Sequence, residues 1–287
     1  MGPVTSPDLS PAAAVTAHAV QVVAHRGSSD ALPEHTLAAY RRALAEGADA
    51  VECDVRLTAD RQLVCVHDRT VKRVSDGHGS VSALTLAQLE AYDFGSWKTG
   101  GGSGGETGGG SGERHGVLRL ESLLELVADC GRRVDLAIET KHPVRHRGRV
   151  ETELLASLAR FGIAGPAGPG ADDPGKRPQA RIMSFSSLAL DRVRRAAPEY
   201  ARVFLFDRVL PLRMRPGTSL PGDADIAGPG IDLVRARPEL VPALRRAGHP
   251  VHVWTVDEPA DVDLCLELGV SAIITNRPAQ VLARLGR

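Results

Sequence analysis

The sequence lacks net charge: 35 lysines and arginines balance 35 aspartates and glutamates over 287 residues. That balance removes the long-range attraction that draws a protein to nucleic acid or to an anionic membrane, and leaves open only a local anion site. It also lacks any apolar run near the ~18 residues of a membrane span, so no stable membrane insertion is expected. The opening segment MGPVTSPDLSPAAAVTAHAV has neither the basic n-region nor the solid apolar stretch of a secretory signal. Residues 1–19 therefore read as a disordered leader on a cytoplasmic protein. Cysteine is sparse: Cys53, Cys65, Cys130 and Cys265 show no CxxC spacing and no disulfide framework, and read as buried free thiols.

What is present is globular, with 43% hydrophobic and 24% charged residues. The length suits a barrel that folds as one unit. Short Val/Ile/Leu-rich runs predict strands at 21–25, 50–57, 134–141, 180–185, 203–206, 231–234, 251–256 and 272–275. Amphipathic stretches such as TLAAYRRALAEG and LESLLELVADCG lie between several of them. Alternation of this kind implies parallel strands joined by crossovers. About eight units predict an α/β TIM (β/α)8 barrel over residues 20–287, with reactive side chains at the C-terminal strand ends.

One element breaks the alternation. After AVECDVRL only TADRQ precedes LVCVHD, too little chain for a parallel crossover. A β-hairpin arm after the second strand is expected instead, carrying His67 and Asp68 back to the rim. Residues 69–116 read as a small inserted region, with 99–113, rich in glycine and serine, a flexible loop. The glycine-rich stretches 165–178 and 215–230 read as plain loops.

Chemistry is concentrated in four places. In AVECDVRL, side chains alternate, so Glu52, Asp54 and Arg56 share one face and Val51, Cys53 and Val55 the other. Two carboxylates turned into a barrel lumen need compensation, either a salt-bridge network with Arg56 or a divalent cation, for which oxygen donors suit Mg²⁺ or Ca²⁺. LAIETKH places Glu139 and Lys141 on one face of a neighbouring strand. The third carboxylate favours a metal, and Lys141 either neutralises Glu139 or meets an anionic ligand. His25 ends the first strand and His67 the arm, both suited to moving protons near neutral pH. Arg26 offers a fork for phosphate, and Gly27 allows a tight exit turn. A cation, an arginine, a lysine and two histidines make a coherent set for cleaving a phosphodiester.

These residues resemble those of the glycerophosphodiester phosphodiesterases, TIM-barrel enzymes of the phospholipase-C-like superfamily. The resemblance runs from Val22 to Leu285 through HRG at 25–27, PEHT at 33–36, ExDV at 52–55, HDxT at 67–70, ExK at 139–141, Ser184-Phe185, WTV at 254–256 and AIITNRP near the end. It implies release of sn-glycerol 3-phosphate and an alcohol from small glycerophosphodiesters. By the resemblance, His25 and His67 are the acid/base pair and Glu52, Asp54 and Glu139 the ligands of one divalent cation, Mg²⁺ or Ca²⁺. It makes Arg26, Lys141 and Trp254 substrate-contacting, with Glu34 and His35 as supports. The sequence departs from the family pattern at His35, where asparagine is usual, at Ser271 in the closing motif, and at Asp257, which follows WTV in place of a common asparagine. Two other readings stand beside this one: a lysophospholipase-D-like phosphodiesterase, with Phe94, Trp97 and Leu212 hinting at an apolar slot, and a catalytically silent barrel that binds a phosphodiester.

Overall fold

The computed structural model describes residues 20–98, 114–143, 145–166, 178–208 and 217–287. The expectations for the leader at 1–19, the glycine tract at 99–113, most of the 165–178 stretch and Leu212 lie outside these residues.

Strands β1 (Gln21–His25), β2 (Ala50–Leu57), β4 (Asp135–Thr140), β5 (Ala180–Ser184), β6 (Ala201–Phe206), β7 (Ile226–Pro229), β8 (His252–Val253) and β9 (Ala272–Thr275) lie side by side in parallel, in the order β7-β6-β5-β4-β2-β1-β9-β8. Parallel single bridges Ala227–Val251 and Gly230–Trp254 join β7 to β8 and complete the ring. The expected (β/α)8 barrel is therefore present. Alternation along the strands sorts the side chains: Val23, Ala50, Ala137, Met183, Val203, Leu205, Ala272 and Ile274 fill the lumen. The opposite faces, with Val51, Cys53, Val55, Leu136 and Ile138, pack against helices such as α1 (Leu37–Ala45), α3 (Leu120–Ala128) and α4 (Arg149–Arg160). A second layer does the same for β7 to β9 against α6 (Ile231–Ala236), α7 (Leu240–Arg246), α8 (Pro259–Leu268) and α9 (Pro278–Arg284). Among the described residues no helix is long and apolar enough to cross a membrane. Cys53, Cys65 and Cys265 are buried free thiols, and Cys130 is only half-buried.

One strand expectation is corrected. Residues 231–234 open helix α6, and the strand is the preceding IAGP, inside the stretch expected to be a loop. A four-residue apolar run carries no period that separates strand from helix, while a glycine and a proline disguise the true strand. Gly228 is there for space: a Cβ on it would lie 2.7 Å from Leu205 Cδ2 and 3.2 Å from the Phe204 carbonyl oxygen.

The arm is as expected. Strand β3 (Leu63–Cys65) pairs antiparallel with the end of β2, Val55 opposite Cys65 and Leu57 opposite Leu63. The chain after it is not structureless. Val64, Val66, Val71, Val74, Val81, Leu89, Phe94 and Val117 form a separate small core, and Thr85 caps the short helix α2 (Leu86–Glu90) with a capping box. Phe94 belongs to that core, and so does not line a slot near the mouth.

Candidate active site

His25 leaves β1 at the C-terminal rim and is held from behind. Its Nδ1 lies 2.7 Å from Asn276 Oδ1, while Asn276 Nδ2 donates to Asp257 Oδ2 at 2.6 Å. Asp257 accepts only, so it fixes the amide with its oxygen towards His25. Nδ1 of His25 must then carry the proton, and Nε2 is left as a lone pair 3.9 Å from Glu52 Oε2. Burial, with the Arg26 charge beside it, pushes His25 down to about 3, so the ring is neutral at ordinary pH. Asp257 also accepts from Thr275 Oγ1 and the Asn276 N–H, 3.0 and 2.8 Å. The departure at Asp257 thus acts jointly with Asn276, and together they set which His25 nitrogen is free.

On β2 the charged face points into the lumen, as its alternation requires. Glu52 and Asp54 are each 1% exposed and Glu139, from the adjoining β4, 7%. Asp54 and Glu139 are direct neighbours in the strand register. One oxygen from each of the three lies within 4.8 Å of the others. Burial first, and then the charge of Asp54, pushes Glu52 well up and Glu139 up to about 8. Burial would raise Asp54 as well, but Lys141, Arg26 and a His35 hydrogen bond hold it well down. Lys141 Nζ sits 3.2 Å from Asp54 Oδ1 and 2.8 Å from Glu139 Oε1. Both roles read for Lys141 therefore begin with these carboxylates.

The turn after β1 supplies the rest of the cage. Arg26 adopts φ 57° and Gly27 φ 86°. This left-handed pair folds the chain back so that Arg26 Nε reaches Asp54 Oδ2 at 3.0 Å and Nη1 reaches Glu34 Oε1 at 3.0 Å. Arg26 is thereby held between Asp54 and Glu34 and lines the pocket described below. His35, also at φ 56°, does not line the rim. It is 5% exposed and lies beneath Asp54, with Nε2 2.9 Å from Asp54 Oδ2 and Nδ1 2.9 Å from the Tyr40 hydroxyl. Tyr40 in turn donates to the Glu52 carbonyl at 2.9 Å. The histidine thus keeps a hydrogen bond to the aspartate, and Thr36 next to it caps α1.

His67 comes from the arm. Arg56 fixes its position, donating from Nε and Nη2 to the His67 carbonyl at 3.1 and 2.7 Å. So Arg56 does not neutralise its strand neighbours. His67 Nδ1 meets Asp68 Oδ1 at 2.7 Å, and Arg73 joins Asp68 to Glu34 through contacts of 2.6 and 2.8 Å. The ion-pair chain therefore runs from His67 through Asp68, Arg73, Glu34 and Arg26 to Asp54. Burial lowers His67, while the Asp54 charge and the Asp68 hydrogen bond oppose it. Arg73 went unnoticed in the sequence because it lies within the inserted region, where no spacing marks it.

A pocket of about 210 Å³ joins these groups. His25, Arg26, Glu52, His67, Glu139 and Lys141 line one side, and Met183, Phe185, Leu205, Trp254 and Ile274 the other. Trp254 is fixed by its Nε1 donating to the Gly228 carbonyl at 2.8 Å and by edge-on contact with Phe185 at 5.4 Å. His25, Arg26, Glu52, His67, Glu139, Lys141 and Trp254 thus line one pocket, Asp54 adjoins it through Lys141 and Arg26, and Glu34 and His35 stand behind it.

A parallel barrel with its reactive side chains gathered at the C-terminal mouth is the construction of a TIM-barrel enzyme. The chain belongs to the glycerophosphoryl diester phosphodiesterase family, whose model matches residues 25–280. It is 47% identical over 267 residues to the "Probable glycerophosphodiester phosphodiesterase 1" of Mycobacterium tuberculosis, covering 92% of each chain. It is 31% identical to the glycerophosphodiester phosphodiesterase of Bacillus subtilis, covering 90% of this chain and 84% of that one. Among solved structures, an Oleispira antarctica phosphodiesterase in complex with the product sn-glycerol-3-phosphate superposes with a TM-score of 0.74 at 23% identity, covering 95% of this chain and 100% of that one. A glycerophosphodiester phosphodiesterase of Agrobacterium tumefaciens does so with a TM-score of 0.69 at 26% identity, covering 92% and 99%.

Proposed function

We propose that this enzyme hydrolyses glycerophosphodiesters to sn-glycerol 3-phosphate and an alcohol, with His25 as proton acceptor and His67 as proton donor. The observation that carries the assignment is the different backing of the two rings. His25 Nδ1 faces an amide oxygen, which leaves Nε2 as a ready acceptor, and burial disfavours its charged form. His67 Nδ1 faces the Asp68 carboxylate, which stabilises the imidazolium and suits Nε2 to give up a proton.

The glycerol 2-hydroxyl of the substrate attacks phosphorus, its proton passing to His25 Nε2. The P–O bond to the leaving alcohol breaks, and that oxygen takes a proton from His67. Water then opens the 2,3-cyclic phosphate with the two proton movements reversed. Arg26 and Lys141 orient the phosphoryl oxygens, and Trp254 and Phe185 close the apolar side. Each positioned proton transfer is typically worth ~10²–10⁴ in rate. A substrate lacking the 2-hydroxyl should not turn over; undiminished turnover would establish direct attack by water.

The carboxylate cluster fits a hard divalent cation. Three buried carboxylates within 4.8 Å, two of them pushed up by burial and by their neighbour's charge, are a donor set that Mg²⁺ or Ca²⁺ satisfies. Glu52, Asp54 and Glu139 would hold it. Bound there, such an ion supplies charge stabilisation to the phosphoryl oxygens. We also place the reaction in the cytoplasm, in keeping with four unpaired cysteines, which cell fractionation would test.

The deciding experiment is release of sn-glycerol 3-phosphate from glycerophosphocholine and glycerophosphoglycerol with Mg²⁺ or Ca²⁺, before and after EDTA. Turnover abolished by EDTA and by His25→Ala and His67→Ala is expected; a protein inert on both substrates with either ion overturns the reading. The exposed Phe185, which lines the apolar wall, and Leu188 three residues on, 44% and 67% accessible, support one second reading, a lysophospholipid substrate whose acyl chain rests there. Faster release of lysophosphatidic acid from lysophosphatidylcholine than of glycerol 3-phosphate from glycerophosphocholine would establish it.

A further inference from the structure

A second cavity, of about 410 Å³, adjoins His67 through Arg56, which grips the His67 carbonyl, and Arg69, two residues on. It is lined by Arg56, Arg69, Ser80, Ser82, Arg145 and His146, together with Leu57, Val81, Ala83 and Pro143. Three guanidinium groups and an imidazole meet there, and among the described residues no carboxylate lines the wall. Among the described residues none of these three arginines forms an ion pair, whereas Arg26, Arg73 and Arg133 each hold a carboxylate. The carboxylates whose charge reaches Arg56 are Asp54, Glu139 and Asp68. They are already held by Lys141, Arg26 and Arg73. His146 Nε2 is buried without a hydrogen-bond partner. Unbalanced positive charge around a space of this size, with hydroxyls on one wall, is an arrangement that takes a phosphate.

The cavity is tied to the catalytic pocket through the backbone. Arg56 forms part of its wall and also grips the His67 carbonyl at 2.7 Å. Pro143 lines it two residues after Lys141, which lines the catalytic pocket. The catalytic pocket is the smaller of the two, at about 210 Å³. His67, the proposed proton donor to the leaving alcohol, lines the catalytic pocket and is held by Arg56 of the cavity wall, which directs the leaving alcohol towards the cavity.

From this we infer that the cavity is a leaving-group subsite, and that the enzyme prefers glycerophosphodiesters whose leaving alcohol itself carries a second phosphate. The inference rests on the hydrolysis proposed above. A matched pair of substrates tests it: glycerophosphoglycerol, whose leaving alcohol is plain glycerol, and bis(glycerophospho)glycerol, whose leaving alcohol is the same glycerol bearing a second phosphodiester. Initial rates of the first cleavage should give a kcat/KM at least about tenfold higher for the second substrate, the scale of one charge-assisted hydrogen bond. In the Arg69→Ala/Arg145→Ala double variant that ratio should fall towards one. Both residues are exposed, and because the readout is a ratio within one protein, a partial loss of fold cancels. A ratio near one in the parent enzyme, or a preference that survives in the variant, overturns the inference and leaves the hydrolysis intact. A parent enzyme inert on both substrates overturns the hydrolysis itself, and the inference with it.

Discussion

At the scale of single residues, Glu34 shows how charge is shared around this mouth. It accepts from Arg26 Nη1 at 3.0 Å and from Arg73 Nη1 and Nη2 at 2.8 Å each. Burial alone would raise its pKa, but the Arg73 hydrogen bonds and the Arg26 charge hold it down at about 2, against an ordinary 4.5. The folded protein therefore releases this proton more readily than the unfolded chain. The resulting stabilisation is complete above pH 4.5 and is lost as pH falls towards 2. The stability difference between the parent and Glu34→Gln should accordingly be largest near neutral pH and shrink below pH 4.5. Its ceiling is about 3 kcal/mol. Solvent screening brings it lower, because the Arg73 side chain is 43% exposed. Urea denaturation at a series of pH values measures it; a difference that is flat from pH 7 to pH 3 would show that the network adds no net stability. Glu34 was legible in the sequence as part of PEHT, whereas its partner Arg73 was not. The contact spans 39 positions, and ion pairs of that separation leave no trace in spacing or period.

At the scale of elements, the turn between β1 and α1 decides whether the cage can form. Gly27 sits at φ 86°, and a Cβ there would lie 2.7 to 2.9 Å from the backbone and Cβ of Ala39 in α1. Gly27→Ala therefore combines an unfavourable backbone conformation with a clash against a helix that cannot give way locally. A loss of about 2 kcal/mol or more is expected. Activity should fall further than stability, because Arg26 and His25 share the displaced turn. Denaturant midpoints and kcat for the same variant check both parts, and a stable variant with full activity would show that α1 can retreat. This turn was readable as His-Arg-Gly after an apolar run, and so were β2, β4 and the hairpin arm, because a period of two places charge on one face whatever surrounds it. Strand β7 was not: IAGP presents neither alternation nor β-branched residues beyond Ile226, and it is specified by the space beside Leu205. Likewise Asn276 stood in a recognisable closing motif, but only its contact with Asp257 from the preceding β-α connection shows which way the amide faces.

Across the whole molecule, the carboxylate cluster couples the site to the stability of the barrel. Glu52 and Asp54 belong to β2 and Glu139 to β4, adjacent strands in the ring. Without a cation these carboxylates are buried together, compensated only in part by Lys141 and Arg26, which is enough to keep the fold but leaves Glu52 and Glu139 disfavouring their charged forms. A divalent ion that binds this folded arrangement and not the unfolded chain stabilises the fold by mass action, about 2.7 kcal/mol at a hundredfold excess over Kd. For a chain of this size that corresponds to a rise of a few degrees in melting temperature. The thermal midpoint of EDTA-treated protein should therefore climb on adding Mg²⁺ or Ca²⁺ and return on renewed chelation, with no substrate present. Glu52→Gln/Glu139→Gln removes two of the three carboxyl groups that would hold the ion, both of which already disfavour their charged forms. It should melt no lower than the metal-free parent, and its midpoint should not respond to the ion. An equal rise in that variant would locate the bound ion elsewhere on the protein. A parent midpoint unmoved by either ion would mean that Lys141 and Arg26 already satisfy the cluster, so that the lumen charges form a closed salt-bridge network.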